Sequence, residues 1–275
     1  MSIVLGTPEI YHNKKFCSSN IEHIDHQKKM IVLNQVKNVF QNLGIRVITV
    51  DPHLGTTIPV CSLLWVRDMF VKIGSTYVLL PGVKKTDTGL RREKEYKSII
   101  PLLKDQPTIL HDIPGSSLEG GDILQHSRIL FVGIGERTNE KGAEFLRNQF
   151  PEMTVVTIRH KALHLDCCFC VLNRSTVLYA KKYISYLPKA VTDKYHCYDI
   201  ESMTGTKMTN LATNIVRIGK TIVAAYDSKF EGLYRFLRSR KYKIEFIDFY
   251  GLEKEGGGVR CLLQWLDPLE TQKIM

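Results

Sequence analysis

A unit of two short strands, a helix and a returning strand recurs about every 45 to 55 residues along this chain, and that recurrence limits the fold more than any single motif. Asp68–Ile73 and Thr76–Leu80 read as a hairpin around Gly74-Ser75. Gly121–Gln125 pairs with Arg128–Val132, Asp166–Leu172 with Thr176–Ala180, and Leu211–Ile218 with Thr221–Ala225. Helical periodicity marks about His23 to Leu43, Leu90 to Leu103, Asn139 to Gln149, Lys181 to Ala190 and Ser228 to Arg238. Ile45–Val50, Met153–Ile158 and Lys243–Phe246 read as returning strands, and Arg260–Trp265 as the last strand. Strand pairs thus open near Asp68, Asp122, Asp166, Ala212 and Cys261, so five units fit the 275 residues. The first helix and strand would complete the unit that the C-terminal strand begins. A ring closed by its own termini leaves no exposed sheet edge. The same alternation also fits an ordinary α/β layer fold. No linker divides the sequence, and residues 1–275 are read as one domain.

In a pseudo-symmetric ring, equivalent strand starts meet at the centre. Asp68, Asp122, Asp166 and Cys261 lie at or near such starts, with Glu119 and His164 in the turns just before. A thiol, an imidazole and several acids suit covalent catalysis on a cationic carbon centre. A carboxylate such as Asp68 matches the planar fork of a guanidinium, although it would serve equally as a surface charge or strand cap. Leu163-His164-Leu165-Asp166 alternates, which would put His164 and Asp166 on one face of a strand. Gly256-Gly257-Gly258 would let the backbone before Cys261 approach a substrate closely; alternatively it is a turn feeding a buried strand, with the cysteine as a small hydrophobe. His160 and His164 are four apart but lack the metalloprotease glutamate. Cys167-Cys168-Phe169-Cys170 lacks a second pair at zinc-finger spacing. Gly133-Ile134-Gly135 lacks the third glycine of a dinucleotide loop. No metal and no cofactor are therefore expected.

The net charge of +10 is spread along the chain in short mixed clusters, which fits a basic solvated surface better than a nucleic-acid groove. The first residues lack the pattern of a secretory leader, and no apolar run approaches a membrane span. Seven cysteines without a disulfide spacing point to a reduced, cytoplasmic protein with no membrane partner.

At these residues the chain resembles the pentein-fold, guanidino-group-modifying enzymes: arginine deiminases, dimethylarginine dimethylaminohydrolases, agmatine and peptidylarginine deiminases, and amidinotransferases. The segments are VRD (66–68), LRRE (90–93), LEGGD (118–122), GERTNEKGA (135–143), LHLD (163–166) and GGGVRC (256–261), in the family's order over nearly the whole chain. The resemblance implies a five-bladed αβ propeller with pseudo-fivefold symmetry and a central site. It implies Cys261 as nucleophile, His164 as general acid and base, and Glu119 holding the guanidinium and orienting His164. It makes Asp68 and Asp166 the clamp on the guanidinium nitrogens, and Arg137 a ligand of the substrate α-carboxylate, with Arg91 or Arg92 as its second ligand.

Chain length and the GERTNEKGA segment are most similar to the dimethylarginine enzymes, whereas Asp166 stands where those usually carry lysine. A second carboxylate calls for N–H donors, which methyl groups remove. The resemblance therefore implies hydrolysis of arginine or a close analogue to citrulline and ammonia. Dimethylarginine hydrolysis comes next, then amidino transfer. The fold also occurs in a ribosome-associated initiation factor, so an RNA-binding module is the non-enzymatic alternative. The expected partner is a small guanidino compound and not a nucleic acid, with a homodimer left open.

Overall fold

The computed structural model describes residues 1–7, 26–50, 63–81 and 95–266. The chain begins with β1 (Ser2–Leu5), α1 (His26–Asn42) and β2 (Arg46–Thr49). In α1 the apolar residues Val32, Leu33, Val36 and Phe40 fall on one stripe and are buried, while Lys28 is exposed and Lys29 pairs with Glu255 at 2.9 Å. β3 (Phe70–Ile73) and β4 (Thr76–Leu79) form a hairpin, and β5 (Thr108–Leu110) returns parallel to β4. β6 (Ile123–His126) and β7 (Ile129–Ile134) are followed by α2 (Glu140–Gln149) and β8 (Thr154–Arg159). Asn139 caps α2, its side chain accepting from the Gly142 N–H.

β9 (Phe169–Asn173), β10 (Thr176–Tyr179), the single turn α3 (Lys189–Thr192) and β11 (His196–Asp199) make the next unit. α4 (Ile200–Thr204) leads to β12 (Val216–Ile218), β13 (Thr221–Ala225), α5 (Glu231–Ser239) and β14 (Lys243–Ile247). The last strand, β15 (Leu263–Trp265), lies antiparallel to β1.

The result is five three-stranded sheets of one pattern: an antiparallel pair, then a parallel return. This is the five-bladed α/β propeller. The ring closes through β1, whose Ile3 sits opposite Trp265 on one side and Val47 on the other. Between blades the interior is apolar. Ile3, Phe40 and Leu263 pack in one cluster with Val223 and Ile247 of the neighbouring blade, and Phe131, Phe169, Val177 and Tyr195 in another.

Several elements depart from the sequence reading. The N-terminal strand β1 and the returns β5 and β11 are additional, because three- or four-residue strands carry too little alternation to stand out. The helix expected at Lys181–Ala190 is only α3, since Pro188 opens the turn at its N-cap. The described part of the helix expected to end at Leu103 is two 3-10 turns, Glu95–Ser98 and Ile100–Leu103.

The main correction concerns the strand starts. Asp68, Asp122, Asp166 and Cys261 do not begin strands. They sit on 3-10 turns, Val66–Asp68, Gly120–Asp122, Leu165–Cys167 and Val259–Leu262, which precede β3, β6, β9 and β15. The chain turns at the centre first and enters the ladder afterwards, so the polar side chains stay out of the apolar strand faces. His164 is extended (φ −133°, ψ 161°) while Asp166 belongs to the turn, so the expected shared strand face does not exist. The Val66–Asp68 turn touches those at Gly120–Asp122 and Val259–Leu262, and Gly120–Asp122 touches Leu165–Cys167.

Candidate active site

The four turns bring together side chains from one end of the chain to the other. Glu119, Asp122 and Asp166 are fully buried, and Asp68, His164 and Cys261 retain 6%, 3% and 5% exposure. His164 lies between two carboxylates. Its Nε2 is 2.6 Å from Glu119 Oε2 and its Nδ1 3.7 Å from Asp68 Oδ1. Burial opposes protonation of this ring and is the largest single influence. Asp68, the Glu119 hydrogen bond and the charges of Asp122 and Glu119 together outweigh it, and hold His164 well above the ordinary histidine value. Carboxylates facing both ring nitrogens suit an imidazolium, which donates from both.

Asp166 is a junction. Its Oδ2 accepts from Arg67 Nε at 3.2 Å, with Arg260 Nε at 3.9 Å. Its Oδ1 accepts from Asn214 Nδ2 at 3.3 Å and from the Cys167 thiol at 3.6 Å. Burial raises the Asp166 carboxyl above the usual range, although Arg67, Arg260 and His164 pull it down. Asn214 Nδ2 also lies 3.1 Å from Cys261 Sγ. Asn214 thus bridges the Cys261 thiol and Asp166, whose carboxylate lies within 4.8 Å of a His164 ring nitrogen. The donor atoms of His164, Asp166 and Cys167 fall within 4.8 Å of one another, as do those of Asp68, Glu119 and His164. By distance either trio could hold an ion, but the His164 nitrogens already face Glu119 and Asp68.

Cys167 is pushed well up by its side-chain hydrogen bond with Cys261 and then by burial, and Cys170 up to about 11 by burial. Both keep their protons at neutral pH. Arg137 Nη1 stands 3.9 Å from Glu119 Oε1, and its side chain is 16% exposed at the edge of the cluster. Arg91 and Arg92 lie outside the described residues.

Some supporting residues have no counterpart in the sequence reading. Arg67, 2% exposed, donates to Asp166, to Gln264 Oε1 at 2.8 Å and to the Ile123 carbonyl at 2.6 Å. His160 turns to Asp122 and not to His164. It bonds Asp122 Oδ1 at 3.1 Å, and the same oxygen accepts the Leu165 N–H at 2.7 Å, which fixes the turn beside His164. Of the three glycines before Cys261, Gly257 makes room for the Trp65 ring and Gly258 for the Asn214 amide, since a Cβ there would lie 2.2 and 2.5 Å from them. Repeat position was the one available signal for Asn214: it ends the turn before β12, where the other blades carry their polar residues.

Five blades around a buried thiol, imidazole and carboxylate cluster define the pentein superfamily of guanidino-group-modifying proteins. The match to solved structures is extensive. The chain superposes on SxtG, an amidinotransferase from Microseira wollei in the saxitoxin biosynthetic pathway, with a TM-score of 0.77 at 15% identity, over 98% of this chain and 94% of that one. A dimethylarginine dimethylaminohydrolase from Pseudomonas aeruginosa, complexed with citrulline, gives 0.77 at 16% identity, over 96% and 98%. The N-terminal domain of ArgZ, an arginine dihydrolase from the ornithine-ammonia cycle in cyanobacteria, gives 0.74 at 19% identity, over 97% of each chain.

The chain belongs to the arginine deiminase family, whose model matches residues 8–211. It is 33% identical over 148 residues to the uncharacterized protein YkgA of Bacillus subtilis, a match covering 53% of this chain and 51% of that protein. The match thus spans about half the length of that curated relative. Among the described residues, no helix is long and apolar enough to cross a membrane.

Proposed function

We propose that this protein hydrolyses the guanidinium group of free arginine or a close analogue to a ureido group and ammonia, through a covalent intermediate on Cys261. The observation that carries the reading is His164, buried and held as a cation between Glu119 and Asp68 in the same polar cluster as a thiol. Asp68 and Glu119, with the remaining lone pairs of Asp166, would bind the guanidinium nitrogens. Arg137 would bind the substrate carboxylate.

In the first half-reaction the Cys261 thiolate attacks the guanidinium carbon. The His164 imidazolium gives its proton to the departing nitrogen, ammonia leaves, and an S-alkylthiouronium remains. Neutral His164 then takes a proton from water, and the hydroxide adds to the same carbon. The second tetrahedral intermediate expels the Cys261 thiolate and gives its hydroxyl proton to solvent, where the released ammonia takes it up as ammonium. Citrulline leaves with the thiolate and the His164 imidazolium restored. Dividing one substitution into two lowers each barrier, and the buried carboxylates act in a site where electrostatic stabilisation is strong.

The test is ureido-product formation from arginine, methylated arginines and agmatine. Arginine should be turned over fastest, and Cys261→Ser should reduce turnover by about 1,000-fold or more, as expected when a nucleophile is removed. In the wild type, acid quenching should trap a mass increment on the Cys261 peptide. Full activity of the serine variant would exclude the covalent route. Inactivity of the wild type on every guanidine, with salt-sensitive RNA retention, would favour the binding-module reading instead.

A further inference from the structure

Asn214 is 2% exposed and makes three hydrogen bonds from one amide. Its orientation follows from chemistry. The backbone N–H of Arg260, 2.9 Å from Oδ1, can only donate, so the oxygen must face it. The Nδ2 group then faces the acceptors, Cys261 Sγ at 3.1 Å and Asp166 Oδ1 at 3.3 Å. The fit is close, because a Cβ on Gly258 would stand 2.5 Å from Asn214 Oδ1 and 2.9 Å from Cγ. The turn that carries the thiol is thus moulded around this amide.

We propose that Asn214 is the positioning residue of the Cys261 sulfur, donating an N–H to the thiolate and aiming it across the Asp166 carboxylate; this rests on the reading of Cys261 as nucleophile. A thiolate is a much stronger acceptor than a thiol, so a fixed N–H donor favours the charged form. Around the sulfur the Asp166 carboxylate disfavours the charge, the Arg67, Arg260 and His164 cations beside that carboxylate favour it, and Cys167 hydrogen-bonds to Cys261; Asn214 adds a donor of fixed geometry that carries no charge of its own. A lysine or arginine in this position would stabilise the sulfur but also repel a guanidinium. A neutral amide does the first without the second, and its other N–H keeps Asp166 at hydrogen-bond distance.

Asn214→Asp, Asn214→Ala and Gly258→Ala test this in the full chain. Asparagine and aspartate are nearly isosteric, so Asn214→Asp exchanges a donor for an anion. Gly258→Ala leaves the amide chemistry intact and displaces it. The readouts are the pH dependence of iodoacetamide labelling of Cys261, followed by mass spectrometry of its peptide, and kcat and KM for arginine. Asn214→Asp should move the labelling midpoint upward by about one pH unit or more and lower kcat by about 100-fold, with KM changed much less. Asn214→Ala and Gly258→Ala should fall between that variant and the wild type. A merely structural role would change the melting temperature and leave the labelling midpoint in place. That result, in any folded variant of the three, overturns the proposal while leaving the Cys261 reading intact. If the wild type turns over no guanidine, the reading fails separately, and the labelling midpoints still report whether Asn214 holds the sulfur.

Discussion

His164 shows how neighbouring charges reverse the usual effect of burial. A buried histidine ordinarily loses its proton, as the neutral His111 and His126 illustrate, both lowered first by burial. At His164 the paired carboxylates reverse the outcome. Because the folded-state value is raised, the contribution to stability is fully present below the ordinary histidine range, and is lost as pH rises through the raised value. The same proton is the one proposed to go to the leaving group, so kcat should fall over that alkaline range. Glu119→Gln removes one of the three carboxylate charges that raise this ring and lowers the histidine value. The alkaline limb of kcat should therefore move to lower pH, with kcat at its optimum reduced by about 10- to 100-fold. A kcat–pH profile of this variant checks it, and an unmoved alkaline limb would show that Glu119 does not hold the proton.

At the scale of the element, the buried polar side chains sit on or beside the short turns that enter four of the five blades. Gly121 fits the ring of His164 against the Gly120–Asp122 turn; a Cβ there would lie 2.6 Å from His164 Cγ and 2.8 Å from Nδ1. Gly121→Ala should leave the blades folded at a cost of about 1–3 kcal/mol, as overpacking does. It should lower kcat by about 100-fold, because an ångström of misplacement is enough. Urea denaturation and kcat together check this; a folded variant with wild-type kcat would contradict the packing argument. The same turns mark the limit of what the sequence shows. The hairpins were legible because β-branched and aromatic runs alternate around Gly-Ser and Gly-Lys turns, and the residues Asp68, Glu119, His164, Asp166 and Cys261 stood out as polar groups at repeat positions. The 3-10 geometry was not legible. Three or four residues are too few for a period, and the turns pack against turns distant in sequence. Arg67 and Gln264 escaped notice for a related reason: inside apolar strand entries they read as isolated polar residues, and only the ring gives them partners 99 and 197 positions away.

Seen as a whole, the molecule has a basic sequence, +10 overall, wrapped around an acidic centre. Glu119, Asp122 and Asp166 are fully buried, and such a cluster needs an internal cation. Arg67 supplies one beside the His164 imidazolium and also joins blades: it leaves the turn before β3 and bonds Asp166 before β9, the Ile123 carbonyl of β6 and Gln264 of β15. Gln264 in turn donates to the Phe70 carbonyl at 2.6 Å, so the closing strand is bonded to β3 through the same group. Arg67→Met keeps most of the volume and removes the charge. It should lower the unfolding free energy at neutral pH by about 3–5 kcal/mol, the usual consequence of leaving a buried partner uncompensated. The deficit should depend on pH in a particular direction. The Asp166 carboxyl is already raised by burial, and losing Arg67, the largest influence pulling it down, raises it further. A carboxyl raised on folding contributes stability below its unfolded value that is lost as pH rises through the folded one. Acidification should therefore narrow the gap between Arg67→Met and the wild type, and urea unfolding across the acid-to-neutral range measures it. A gap that stays constant with pH would mean that the loss comes from packing between blades, not from an unpaired Asp166.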